Sequence, residues 1–192
     1  MSRIVVSEFV TLDGVMEDPG GAEGFARGGW AFQFERGAEG DKFKLDELMA
    51  SDSLLLGRRT YEGFAAAWPS RTDEGGFADK MNTMPKFVVS TTLEEATWDN
   101  STIISDNVVD EISKLKEQPG GDILVAGGAT LVQTLVEHDL VDEYRLMIFP
   151  VVLGSGKRLF ADGSDTTALS LVEVKRTGDV VTVTLHRADA DA

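Results

Sequence analysis

The segment Leu54-Leu55-Leu56-Gly57-Arg58-Arg59-Thr60 constrains this chain most, because a short apolar strand ends there in a glycine and a helix starts at once. A strand with no polar alternation is buried on both faces, the condition of strands in a parallel sheet covered by helices. A helix start carries unpaired N–H groups and a partial positive charge, so acids are favoured there and cations are not. With 33 acidic residues to draw on, the chain nonetheless places two arginines at that end. An anion such as a phosphate seated between the guanidinium groups and the N–H groups satisfies this arrangement. Arginines that stand in water or pair with Glu62 satisfy it equally.

The rest of the chain repeats the alternation of strand and helix. Ile4 to Val10 reads as a first strand, followed by a turn at Asp13-Gly14. Residues 19–29 hold Pro19 and five glycines, which predicts a mobile loop. Helices are expected over Asp41 to Ala50, Thr60 to Ala67, Asp73 to Asn82, Asp106 to Glu117 and Ala129 to Glu137. Strands are expected at Ser53 to Leu56, Lys86 to Ser90, Ser101 to Ser105, Ile123 to Val125 and Glu143 to Val152. A terminal hairpin, Leu169 to Arg176 and Val180 to Arg187, turns at Gly178. The sum is an α/β fold: a mostly parallel mixed sheet with a C-terminal antiparallel hairpin and helices on both faces, in one domain spanning 1–192. The helix after Gly127-Gly128 opens, like the one after Gly57, with no acid in its first turn, which strengthens the anion-site reading.

Composition narrows the partners. A net charge of -15 opposes nucleic acid and anionic membranes, which bind clustered positive charge. The absence of cysteine excludes disulfides, thiolate nucleophiles and Cys-ligated metals. No secretory leader or membrane-length apolar run is evident, so a cytoplasmic location is expected. His138 and His186 lie far apart with no ligand spacing around them, and no metal is expected. Gly154-Ser155-Gly156-Lys157 lacks the first glycine and the final Ser or Thr of a phosphate loop and is read as a tight turn.

Gly57-Arg58-Arg59-Thr60-Tyr61-Glu62, Val88-Val89-Ser90-Thr91-Thr92 and Gly127-Gly128, in that order, resemble the three NADPH-binding segments of the dihydrofolate reductase superfamily. Gly127-Gly128-Ala129-Thr130-Leu131, Leu140-Val141-Asp142-Glu143, Pro150 to Gly156 and Leu159-Phe160 narrow the likeness to the C-terminal reductase domain of the bifunctional riboflavin-biosynthesis deaminase/reductase. Thr11-Leu12-Asp13-Gly14 matches the opening turn of that group. The resemblance implies a dihydrofolate-reductase-like three-layer fold and NADPH as cofactor. It implies that Arg58 and Arg59 meet the adenosine 2′-phosphate, that Thr60 meets the pyrophosphate while Gly127 and Gly128 let the backbone approach it, that Gly57, Ala129 and Thr130 belong to the cofactor site, that Ser90 and Thr91 bond near the adenosine phosphate, and that Val15 packs on the nicotinamide. Pairing through the sheet implies a homodimer.

Three departures bear on the substrate. The deaminase half is missing, Ala126 replaces the usual Glu before the double glycine, and Leu146 stands where folate reductases carry a Thr. Asp41 precedes Gly57 by sixteen residues, the offset of the folate reductases' substrate-binding carboxylate, and is a candidate catalytic group at the start of its helix, or a helix cap. Asp13, in the turn that the resemblance implies borders the nicotinamide, is a second candidate. Trp30, Phe32 and Phe34 alternate in the manner of a core strand and could also close on a flat heterocycle. The expected activity is hydride transfer to a small pyrimidine- or pterin-like heterocycle, at a C=N bond or a ribosyl imine or C=O, as in 5-amino-6-(5-phosphoribosylamino)uracil reductase. The alternatives are a dihydrofolate or pterin reductase and a non-catalytic NADP(H)-binding regulator.

Overall fold

The computed structural model describes residues 1–73 and 75–188. Glu74, inside the helix expected over Asp73–Asn82, and residues 189–192, inside the expected 1–192 domain, lie outside the described residues. Strands β1 (Ile4–Thr11), β2 (Ser51–Gly57), β3 (Lys86–Val89), β4 (Ser101–Ile104), β5 (Asp122–Ala126), β6 (Glu143–Phe149), β7 (Leu169–Thr177) and β8 (Val180–Arg187) form one sheet in the order β4-β3-β2-β5-β1-β6-β8-β7. All pairs from β4 to β6 are parallel, whereas β8 runs antiparallel to β6 and β7 antiparallel to β8. This is the mixed sheet with a terminal hairpin that the sequence predicts.

Helices α1 (Gly37–Ala50), α2 (Arg58–Ala67), α3 (Phe77–Thr83), α4 (Val108–Glu117) and α5 (Ala129–Glu137) cover both faces. The two-residue period of the strands divides the core accordingly. Ile4, Val6 and Val10 of β1, Leu55 of β2 and Ile123 and Val125 of β5 pack with Ile112 of α4 and Leu131, Val132 and Leu135 of α5. Val5, Leu54, Leu56 and Leu124 point the other way, onto Leu48, Tyr61 and Met81 of α1, α2 and α3. A smaller cluster at the far end of β6 holds Trp30, Met147 and Phe149.

Local chemistry shifts several boundaries. Helix α1 begins at Gly37, four residues before the expected Asp41, because Gly37 takes a positive φ of 63° that turns the chain into the helix. Helix α3 begins at Phe77 and not at Asp73, since the Asp73 carboxylate accepts the Phe77 and Ala78 N–H groups at 3.0 and 2.6 Å and so precedes the helix it caps. Helix α4 starts at Val108 after Asn107 in the left-handed region. Strand β6 stops at Phe149, before Pro150, which has no N–H to continue the ladder. The aromatic alternation at 30–34 is not a strand: Trp30–Gln33 is a 3-10 turn, with Trp30 and Phe34 set against Phe149 and Phe32 82 % exposed.

The N-terminal ends of the parallel strands are tied by charge. Arg3 bonds Asp122 and Glu143 at 2.9 Å each, Arg145 bonds both acids as well, and His186 Nε2 lies 2.9 Å from Glu143. Burial works to raise the Glu143 pKa, but Arg145, His186 and Arg3 hold it below the ordinary carboxylate value. This network leaves the opposite, C-terminal edge of the sheet free for chemistry.

Candidate functional site

Strand β2 leads into α2 on one face and the neighbouring β5 leads into α5 on the other, so the chain diverges at the C-terminal edge of two adjacent strands. Such a divergence opens a crevice, the usual ligand position in an open α/β sheet. Three glycines line it. A Cβ on Gly57 would stand 4.0 Å from the Cα of Gly128, and one on Gly127 would stand 2.7 Å from Thr60 Oγ1. Gly127 and Gly128 have φ of 74° and 88°, values open to glycine and strained for other residues. Helices α1, α3 and α4 carry an acid in the first turn, as an ordinary helix does, while α2 and α5 carry none. The two helices whose positive ends are not neutralised are those that meet at the crevice.

Gly57 is the N-cap of α2, so Arg58 and Arg59 are its first two residues, and both are exposed. Arg58 reaches Glu62 at 3.1 Å, an exposed pair one turn along the same helix. Arg59 lies within electrostatic reach of Glu23 from the glycine-rich loop. Ser90 is buried past the end of β3, and its Oγ accepts the Thr92 and Leu93 N–H groups at 3.2 and 2.9 Å, which shapes the turn that presents the exposed Thr91. Ala129 is buried and Thr130 exposed in the first turn of α5. The crevice therefore collects Gly57, Arg58, Arg59, Thr60, Gly127, Gly128, Ala129 and Thr130 around one opening.

Of the two carboxylates nominated from the sequence, Asp13 lies in the turn expected and Asp41 does not lie at the start of its helix. Asp41 sits in the second turn of α1, its side chain 63 % exposed and its Oδ1 bonded to Arg36 Nε at 2.6 Å, so it neither starts nor caps the helix. Asp13 accepts a bond from Thr11 Oγ1 at 2.6 Å and from the Leu153 and Gly154 N–H groups at 3.2 and 2.8 Å. The Thr11 hydroxyl and these N–H groups hold its pKa down at about 2, which makes Asp13 an ionised tether between two turns and a poor proton source. Val15 is fully buried beside the same turn and donates its N–H to Thr11 Oγ1. Where a tight turn is expected over 154–157, the chain bends at 154–156, with Gly154 and Gly156 at positive φ.

The glycine-rich loop, expected to be a mobile stretch, is organised around the buried Asp18. Its Oδ1 and Oδ2 accept the Glu23 and Phe25 N–H groups, and its carbonyl accepts those of Gly21 and Gly29. Trp30 Nε1 donates to the Glu17 carbonyl at 2.9 Å and closes the loop. Its glycines permit this tight path rather than looseness.

The titratable residues that the sequence reading overlooked are Glu8, Lys44 and Glu47. Glu8 projects from β1 at the point where its ladder with β5 ends: Ser7 is the last partner, opposite Ala126. The next N–H of that chain, on Gly127, is taken by Glu8 Oε1 at 2.7 Å. Burial is the main force that lifts the Glu8 pKa to about 8, against the Gly127 bond and Lys44, with Glu47 and Glu23 adding to the lift. On the other face Glu47 accepts from Ser7 Oγ at 2.7 Å and pairs with Lys44, which also reaches Ser7 Oγ; its second oxygen is buried without a partner. A signal for Glu8 existed in the pattern Ile4, Val6, Glu8, Val10, a carboxylate at an inward position of a two-residue period.

Comparison with known proteins agrees with this fold. The chain is 35% identical to "Uncharacterized protein YyaP" of Bacillus subtilis (strain 168) over 189 residues, 96% of this chain and 94% of that protein. Its fold matches the crystal structure of a "Putative riboflavin biosynthesis protein" from Shewanella sp. PV-4 with a TM-score of 0.75 at 22% identity, covering 97% of this chain and 99% of that one. It also matches dihydrofolate reductase from Enterococcus faecalis, complexed with NADP(H), with a TM-score of 0.56 at 16% identity, covering 97% of each. The fold is thus the dihydrofolate-reductase-like α/β architecture. With residues 2–183 matching the family model described as the RibD C-terminal domain, this chain belongs to that family.

Proposed function

We propose that this protein is an NADPH-dependent reductase that transfers a hydride to a small pyrimidine- or pterin-like heterocycle. The observation that carries this reading is the meeting of two acid-free helix starts across Gly57 and Gly128, with Arg58 and Arg59 at one of them. The residues present fit the cofactor: glycine at position 127 lets the two helix starts approach where a Cβ would strike Thr60, and the N–H groups at the starts of α2 and α5 suit a pyrophosphate. Arg58 and Arg59 would take the 2′-phosphate, Thr60, Ala129 and Thr130 the pyrophosphate with the glycines, Ser90 and Thr91 the adenosine side, and Val15 the nicotinamide. The structural likeness to a reductase complexed with NADP(H) and to a riboflavin biosynthesis protein supports both the cofactor and the class of acceptor.

Bound NADPH supplies the hydride, and the protein has to orient the acceptor, exclude water and manage one proton. The acceptor's C=N or C=O bond would lie at the open side of β1, between the Val15 turn and the group that Ser7 of β1 forms with Lys44 and Glu47 of α1. Among the described residues no helix is long and apolar enough to cross a membrane, and we place the reductase in the cytoplasm. We further propose a homodimer through edge strand β7, where Leu171, Val172 and Val174 are exposed. Calorimetric titration with NADPH and NADH, followed by NADPH oxidation against a panel of pterins and aminopyrimidines, tests the reading. Tight binding of NADPH with turnover of one panel member is expected. No binding of either nucleotide would refute it.

A further inference from the structure

We propose, resting on the cofactor reading above, that Glu8 distinguishes oxidised from reduced cofactor: its carboxyl keeps a proton in the free protein and beside the neutral reduced ring, and gives that proton to water when the cationic oxidised ring arrives. One carboxyl O–H bond breaks and one O–H bond to the accepting water forms, and no other bond changes.

The placement comes first. Strand β1 leaves β5 after Ser7 but stays paired with β6 as far as Thr11 opposite Phe149, so only its β5 side is open beyond residue 7. Glu8 enters that opening and is anchored by the N–H of Gly127, the first glycine of the cradle. In sheet order β2, β5 and β1 are consecutive. A dinucleotide whose phosphates rest on Gly127 and Gly128, with its 2′-phosphate toward the arginines after β2, therefore runs its other end toward β1 and Glu8.

The electrostatics agree with the placement. The charged groups within electrostatic reach of Glu8 are Lys44 and Glu47, which lie on α1 across the sheet, and Glu23 of the glycine-rich loop, two acids and one base. Burial, more than these charges, pushes the carboxyl up to about 8, which favours its neutral form at pH 7 and keeps it within reach of ionisation. An opposite charge within roughly 4–6 Å lowers a carboxyl pKa by about 1 to 3 units, enough to ionise this one near neutrality.

Calorimetry of the full chain at pH 7 in two buffers of different ionisation enthalpy counts protons released with NADP+ and with NADPH. The 2′-phosphate titrates in both nucleotides, so the difference isolates the ring. Close to one more proton is expected with NADP+. Its affinity relative to NADPH should rise about tenfold per pH unit between 6 and 8 and then level off. Glu8→Gln should bind both nucleotides with a ratio independent of pH. Equal proton counts in the wild-type protein overturn the proposal, as does a Gln variant that keeps the pH-dependent ratio. If that variant does not fold, the wild-type proton difference and its disappearance above pH 9 decide. Failure of both nucleotides to bind would sink the cofactor reading first, and this proposal with it.

Discussion

Gly127 and Thr60 stand so close that any side chain at 127 would place its Cβ 2.7 Å from Thr60 Oγ1 and 2.8 Å from Thr60 Cγ2. Neither atom is the end of a long flexible chain, and φ at 127 is 74°. Gly127→Ala should destabilise the protein by about 1–3 kcal/mol and lower NADPH affinity at least tenfold, read by thermal melting and calorimetry.

The arginines should divide binding from stability. A charge-assisted bond to the 2′-phosphate contributes about 1.5–3 kcal/mol, so Arg59→Ala should weaken NADPH about ten- to a hundredfold and leave NADH unchanged. The exposed Arg58–Glu62 pair contributes only about 0.3–0.5 kcal/mol to stability, so Glu62→Ala should hardly move the melting temperature. Equal loss of both nucleotides in the Arg59 variant would place that side chain away from the phosphate.

Glu8 gives stability an unusual pH dependence. Its folded pKa of about 8 lies above the unfolded value of 4.5, so between the two the folded protein keeps a proton that the unfolded chain has lost. The stabilisation is complete below the lower value and is lost as pH rises through the window, at a slope of up to about 1.4 kcal/mol per pH unit. Urea melts from pH 5 to 8 should show this slope in the wild-type protein and not in Glu8→Gln.

Glu143 works in the opposite sense. Its folded pKa is depressed, so its contribution is present above the unfolded value of 4.5 and fades as pH falls through the folded one. Glu143→Gln leaves Arg145 and Arg3 short of a partner and should cost about 3 kcal/mol at pH 7, with a smaller loss at pH 3. Binding of NADPH, at the other edge of the sheet, should be unaffected.

If β7 joins two copies, Val174→Lys should yield monomers in sedimentation velocity, because charge on an exposed edge blocks strand pairing. A wild-type monomer at micromolar concentration would remove the homodimer.

Much of the architecture was legible in local pattern. Leu54 to Leu56 and Ile123 to Val125 have no polar alternation, so they had to be central, and the alternation of Val181 to His186 with threonines marked the sheet's antiparallel side. The paired glycines and the acid-free helix starts were equally visible, since each is a property of a few consecutive residues. Asp41 misled because an offset in sequence fixes a helical position only if the helix begins where expected, and Gly37 moved that beginning by a turn. The glycine-rich loop misled because composition reports what a backbone is free to do, while the bonds Asp18 makes settle what it does.

What the chain's order alone determined, then, is the set of strands, helices and glycine turns, all products of short-range sterics and period. Tertiary structure decided which carboxylates are buried. Glu8, Asp13 and Asp41 share one functional group, yet burial lifts the Glu8 pKa, bonds from Thr11 and from the turn at residues 153 and 154 lower that of Asp13, and Asp41 stays exposed beside Arg36. A pKa is set by desolvation and by partners distant in the chain, quantities that do not exist until the sheet has assembled.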